Sequence, residues 1–346
     1  MRTAVVILNW NGKNLLEKFL PDVIRHSQGA AQVYVIDNNS SDHSVQLLTS
    51  TFTSVKIIQN VENYGFAKGY NEGLKHIDTD CFVLLNSDVQ VTENWIRPVV
   101  GLMESDPSIA ACQPKLLNYN VRNEFEYAGG GGGFIDKWGY PFCRGRMFDS
   151  FEKDQGQYND TREIFWASGA CLFIRSKKFF DAGGFDEDFF AHMEEIDLCW
   201  RIRNLGFKIM YCPQSTVYHV GASTLAKMNP QKTYYNFRNN LLLVCKNHAP
   251  GFFLLKLIFR GSLDGLAGMK FLLSGQIMHF FAIIHAHFSF YALFFKMMGK
   301  RKLIRKNIKR YATNCVYRGS IVWQYFMKGK RKFSELDKRL FSDIRV

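Results

Sequence analysis

Four short apolar runs occupy the first 85 residues: TAVVIL (3 to 8), QVYVI (32 to 36), VKIIQ (55 to 59) and CFVLL (81 to 85). Between them lie NLLEKFLPDVIRHS (14 to 27, interrupted by Pro21), HSVQLLTSTF (43 to 52) and FAKGYNEGLKHI (66 to 77), whose apolar residues recur at helical spacing. Strands alternating with helices predict a parallel sheet covered by helices on both faces. Ligands of such sheets bind beyond the carboxyl ends of the strands. Those ends read NWNG (9 to 12), DNNSSD (37 to 42), NVENYG (60 to 65) and NSD (86 to 88). Any one of them is an ordinary turn or helix cap. Four in succession point to a shared polar site.

With 346 residues and 47% hydrophobic content, the chain can bury a sizeable core, which excludes a disordered protein. Its eight cysteines show no CxxC spacing and no zinc-like clustering with histidine, so they read as buried, reduced thiols in a cytosolic setting. The N-terminal apolar run stops at Asn9, too short for the core of a signal peptide, and reads as a strand.

The net charge of +13 is uneven. Residues 296 to 346 hold 16 Lys and Arg against three acids, which is the whole +13, and residues 1 to 295 hold 28 charges of each sign. Before this tail, residues 271 to 295 carry no Lys, Arg, Asp or Glu. An aromatic, apolar segment followed by a basic run argues for an anionic membrane surface rather than nucleic acid. Three histidines, two serines and a glutamine within the segment favour an interfacial or re-entrant helix over a span. The plainer alternative is a buried helical pair with a solvated basic face.

Residue type narrows the chemistry. Asp37 can accept a hydrogen bond from a pyrimidine imide N–H, and the amides and glycines of NYGFAKGYN (63 to 71) allow close approach of backbone to a ligand. Asp88 is a hard oxygen ligand suited to Mg²⁺ or Mn²⁺ on a diphosphate, with Asn86 as a neutral partner.

The stretches VVILNWNG, VIDNNSSD, NVENYGFAKGYNEG, LLNSDVQV, YAGGGGGFIDKWGYPFCRGR, FWASGACLFIR, GGFDEDFFAHMEEIDLCWRIRNLGF and STVYHVG carry a resemblance. In this order, over residues 3 to about 240, the chain resembles the family-2 glycosyltransferases with a GT-A fold, in particular the rhamnosyltransferase-like branch that builds bacterial surface polysaccharides. The resemblance implies an α/β GT-A catalytic domain over 1–240, with a nucleotide-binding half (1–115) and an acceptor and catalytic half (116–240). A helical, membrane-associating extension would follow over 241–346.

It further implies inverting transfer of rhamnose or another hexose from a UDP- or dTDP-sugar to a hydroxyl of a lipid-linked glycan, at the cytoplasmic face of the cell membrane. Asp37 would bind the base, among Asn9, Asn63, Gly65, Asn71 and Asn86, with Arg238 near the phosphates. Asp88 and His219 would hold Mg²⁺ or Mn²⁺, although Asn86 replaces the first acid of the Asp-X-Asp pattern and removes one charge.

Attack by the acceptor hydroxyl needs a base, and HMEEIDLCWRIRNLG (192 to 206) supplies acids. Read as a helix, this stretch places Glu194, Asp197 and Arg201 on one side and Glu195 and Cys199 on another, so the two glutamates would differ in role. The resemblance assigns the base to Glu195, with Glu194 second. On the acceptor side, the run Gly129 to Gly133 must be a turned or flexible loop. Trp138 and Trp166 are candidates for an aromatic wall beside it, and Gly169 lies in the segment WASGA that resembles the family's acceptor side. A nucleotide-binding scaffold without turnover is the alternative. It would be expected to have lost Asp88 or Glu195, and both are present.

Overall fold

The computed structural model describes residues 1–221, 229–251, 253–309 and 311–342. The first half follows the predicted alternation: β1 (Thr3–Asn9), α1 (Lys13–Ser27), β2 (Gln32–Asp37), α2 (Ser44–Thr51), β3 (Lys56–Gln59), α3 (Gly65–Leu74) and β4 (Cys81–Leu85). These strands pair in parallel in the order β4-β1-β2-β3. β4, and β1 from Ala4 to Leu8, are apolar because helices cover both of their faces. Pro21 does not interrupt α1. It stands on the exposed side, as does Glu17 one turn earlier, so the carbonyl that loses its N–H partner is on the solvent face.

The chain continues through β5 (Val89–Val91), α4 (Arg97–Ser105), β6 (Ile109–Asn118), β7 (Gly133–Asp136), β8 (Pro141–Cys143), β9 (Arg146–Met147) and β10 (Ser150–Phe151). Then come β11 (Arg162–Glu163), β12 (Cys171–Arg175), α5 (Ser176–Asp181), α6 (Glu194–Asn204) and β13 (Lys208–His219). β12 inserts antiparallel between β4 and β6, and β13 adds in parallel to β6, giving a nine-stranded, mainly parallel sheet in a mixed α/β architecture. β5 pairs antiparallel with the end of β13, Val89 opposite His219. That pairing sets residue 88 beside residue 219.

The glycine run is a tight, buried turn leading into β7. A side chain at Gly133 would stand 2.2 Å from the Trp166 ring, so only glycine fits there. β7 begins a second, smaller sheet with β8, β9 and β10.

Three long helices follow: α7 (Pro230–Asn247), α8 (Phe253–Leu273) and α9 (Ile277–Asn307). The expected domain boundary at residue 240 falls inside α7. The uncharged run 271–295 is not one element, because the chain turns at residues 274–276, where Gly275 takes φ +74°, and reverses into α9. α9 lies along α7, with Thr233 Oγ1 2.8 Å from His279 Nδ1 and the Tyr234 hydroxyl donating to Ser289 Oγ at 3.0 Å.

The basic tail is not a free appendage. β14 (Val316–Tyr317) joins the second sheet beside β7, and Phe333 and Phe341 pack against Phe134 at ring distances of 5.0 and 5.6 Å. Lys296 and Lys300 are bound to Asp188 and Asp186, and Arg301 donates to the Cys245 carbonyl. Lys302, Arg305, Lys306 and Lys309 remain exposed. So do Ile258, Leu266, Leu273, Met278, Phe281 and Phe288 on the hairpin of α8 and α9. Among the described residues α9 is the one helix long and apolar enough to cross a membrane, and only 22% of its most apolar stretch is buried in the protein.

Candidate active site

Two polar clusters occupy adjoining strand ends, because β1 pairs with both β2 and β4. In the first, Asp37 is buried and accepts from Asn9 Nδ2 at 3.0 Å and from the Ser40 N–H at 2.9 Å. Asn9 therefore supports Asp37 rather than facing outward. Asn63 Oδ1 accepts from Asn38 Nδ2 at 2.9 Å and from the Gly65 N–H at 3.0 Å, opening α3. Gly65 has φ +71°, and a Cβ there would lie 3.2 Å from the Phe190 ring, so it meets both reasons for glycine.

The second cluster lines a cleft with a cavity volume of about 260 Å³. It contains Asn86, Asp88, Glu126, Gly169, His192, Glu194, Glu195, His219 and Lys232. His219 Nε2 is 3.1 Å from Asp88 Oδ1 and 3.4 Å from Asn86 Nδ2, while its Nδ1 faces Glu126 Oε1 at 3.1 Å. The Gly221 N–H donates to Asp88 Oδ2 at 3.3 Å. Burial works against charge on His219, yet Glu126 and Asp88 outweigh it and raise the imidazolium to about 10.

Asp88 Oδ1 and His219 Nε2, buried and adjacent, form an oxygen and nitrogen pair that would hold a divalent cation in exchange for the Nε2 proton. Among the described residues no three His, Cys, Asp or Glu side chains converge as a full metal cage. Glu126 faces the opposite ring nitrogen and so orients the imidazole instead of adding a ligand.

The glutamates converge, contrary to the helical-face argument. α6 begins at Glu194, so both lie in its first turn, where side chains lean back toward the N-terminus, and both reach the cleft. Burial, followed by the charge of Glu195, raises Glu194 well above the usual carboxylate range. Burial also raises Glu195, to about 7. Gly169 lies directly beneath it: a Cβ there would be 3.7 Å from Glu195 Cβ. Asp197 pairs with Arg201 at 2.7 Å, and buried Lys246 adds to it at 2.7 Å.

Four sequence candidates are placed elsewhere. Asn71 closes a two-bond clamp on the backbone of Phe185, donating at 2.8 Å and accepting at 2.9 Å. Arg238 is buried and donates to the Asp188 and Phe189 carbonyls at 2.9 and 3.0 Å, so it is spent inside the fold. Trp166 is buried and donates to the Phe134 carbonyl at 2.8 Å. Trp138 stacks on Phe259 of α8 at 4.2 Å. None of the four lines the cleft.

Sequence reasoning missed Glu126, His192 and Lys232. Glu126 stands three residues before the glycine run and His192 two before Glu194, so proximity to motifs was the available signal. Lys232, in the first turn of α7, lies over the Tyr127 ring at 4.6 Å. His192 is held neutral by burial and by Lys232, which lower it to about 4.

In sequence and in fold the chain is similar to known proteins. The model of "Glycosyl transferase family 2" matches residues 4–178, half of the chain. An N-acetylglucosaminyl-diphospho-decaprenol L-rhamnosyltransferase of Mycobacterium tuberculosis is 22% identical over 261 residues, covering 71% of this chain and 84% of that protein. The low-salt glycan biosynthesis hexosyltransferase Agl10 of Haloferax volcanii is 22% identical over 247 residues, covering 69% and 74%. In structure, S. aureus TarS 1-349 in complex with UDP-GlcNAc superimposes with a TM-score of 0.54 at 15% identity, covering 89% of this chain and 87% of that one. The chain belongs to glycosyl transferase family 2.

Proposed function

We propose that the protein is an inverting, divalent-metal-dependent hexosyltransferase. It takes rhamnose or another hexose from a UDP- or dTDP-linked donor and attaches it to a hydroxyl of a lipid-linked glycan at the cytoplasmic membrane face. The observation that carries this reading is the convergence of Glu194 and Glu195 with Asp88 and His219 in one cleft. The lipid-linked acceptor rests on the name of the mycobacterial relative, which includes a diphospho-decaprenol.

In this mechanism Asp37 accepts the pyrimidine imide N–H and fixes the donor. Glu195, with a pKa of about 7, takes the proton of the acceptor hydroxyl. The acceptor oxygen bonds to the anomeric carbon from one face as the bond to the diphosphate breaks on the other, and the nucleoside diphosphate leaves. Glu194, held protonated by burial, keeps the pair from carrying two charges. Lys232 supplies a cation facing the cleft, the role that Arg238 does not fill. A divalent cation held by Asp88 and His219 would offset charge on the departing diphosphate.

A panel of UDP-, dTDP- and GDP-linked sugars with Mg²⁺ or Mn²⁺, scored by thermal shift and by slow donor hydrolysis, tests the reading. A metal-dependent response to one uridine or thymidine donor is expected. Folded protein that is silent with every donor, alone and with a polyprenyl-diphospho-sugar present, would remove it.

The exposed hairpin of α8 and α9 is the membrane-facing surface in this reading. α9 is committed along one side to α7, which favours lying on the bilayer over crossing it. Changing Lys302, Arg305, Lys306 and Lys309 together to glutamine leaves the folded tail in place and should weaken partitioning onto anionic vesicles by about 10²- to 10³-fold at low salt. Added salt should erase the difference. Equal flotation of the variant and the parent protein at low salt would sink the anionic-surface idea.

A further inference from the structure

The segment between α5 and α6 that delivers both glutamates has an unfavourable backbone. Phe190, His192 and Met193 have φ of 62, 68 and 71°, three non-glycine residues in the left-handed region within four positions. Each is a conformation that a side chain disfavours, so the segment needs an external hold.

That hold comes from helices lying beyond the matched family region, which ends at residue 178. Asn239 Nδ2 donates to the carbonyls of Phe189, Ala191 and His192 at 2.9, 2.7 and 2.7 Å. Arg238 donates to the carbonyls of Asp188 and Phe189, and its Nε orients Asn239 through Oδ1 at 2.9 Å. The acids that open the segment are gripped as well. Asp186 bonds Lys246 of α7 and Lys300 of α9, and Asp188 bonds Lys296 and Lys300 of α9, both at 2.6 Å.

The geometry points to Arg238, Asn239 and Lys300 as positioning residues: they hold residues 188–193 in a strained path that aims Glu194 and Glu195 into the cleft, and Lys300 ties that path to α9. This rests on the proposed reading in which Glu195 accepts the proton beside a protonated Glu194. Loss of the hold frees the segment to relax, which moves the carboxylates and admits water to them. A displacement of about 1 Å at reacting groups costs on the order of 10²-fold in rate.

The test uses the full-length chain with the donor identified by the panel, measuring kcat, donor KM and the pH–rate profile. Asn239→Ala is expected to lower kcat about 10²-fold with donor KM within about 3-fold of the parent protein. The rising limb of the profile should also move to lower pH, toward the ordinary glutamate range. Asp197 on the same helix and the other titratable groups of the cleft, Asp88, Glu126, Tyr127, His192, His219 and Lys232, are unchanged in the variant. A merely structural lesion would lower the amount of active protein and leave the limb in place.

If Asn239→Ala does not fold, Arg238→Lys, which keeps the charge but loses the fork, and Lys300→Met, at the outer end, are expected to show the same limb shift with smaller kcat losses. Lys300→Arg should restore the parent profile. Unchanged kcat and limb in the folded variants would overturn the proposal. If Glu194→Gln and Glu195→Gln both transfer at parental rates, it is the assignment of the carboxylates that has failed.

Discussion

Glu195→Gln should lower kcat for sugar transfer by about 10²- to 10⁴-fold, the range that removal of a general base spans. Glutamine has nearly the same shape and cannot accept a proton, so donor binding should stay near the parent value. The pH–rate profile makes the assignment specific. Burial raises the folded-state pKa of Glu195 to about 7, so the base form is lost as pH falls through that value and gained as it rises. In the parent protein kcat should therefore climb between about pH 6 and 8. In Glu195→Gln that limb should vanish, leaving a low, flat rate. If Glu194→Gln produces this loss and Glu195→Gln does not, the base is Glu194.

Asp88→Ala is expected to remove metal-dependent transfer, with a loss of 10²-fold or more, the scale set by deleting an electrostatic stabiliser from a site of this kind. Two effects combine. The carboxylate that would face the cation disappears, and His219 loses the partner at 3.1 Å that fixes its Nε2 while Glu126 still holds Nδ1. A readout independent of turnover is the Mn²⁺ titration followed by thermal shift with UDP present. The parent protein should be stabilised in a saturable way, and Asp88→Ala should not respond. Parental rates and parental Mn²⁺ response in the variant would remove the metal role of Asp88.

The donor half was legible because its elements are local. Each apolar run and each helical repeat in residues 3 to 85 declares itself within a few residues, and the polar strand ends then follow from topology. The glutamates were legible by type and not by direction. A helical-face argument assumes a helix already under way, whereas α6 starts at Glu194 and folds both side chains into one cleft. Arg238, Trp138 and Trp166 were misplaced for a different reason. Each is engaged by a partner far away in sequence, the 188–189 carbonyls, Phe259 and Phe134, and no local pattern encodes those pairings. Glu126 and Lys232 were missed likewise, since the cleft brings them to His219 and Tyr127 across long separations. The tail's charge count was right, but charge alone did not reveal that Lys296 and Lys300 already have acids to hold.

The pairing of β14 with β7 sets an order on synthesis. Val316 lies opposite Ile135, so the second sheet cannot close until residue 316 has left the ribosome. The α8–α9 hairpin, with its uncovered leucines and phenylalanines, emerges before that closing strand. A nascent chain therefore passes through a stage in which the nucleotide-binding half is folded, the second sheet is open and a greasy hairpin is already in solution. A nearby bilayer or a chaperone would shelter that intermediate, and dilution from denaturant offers neither. Recovery of the protein in vitro should then depend on supplying an amphiphile during refolding, even when the native state needs none.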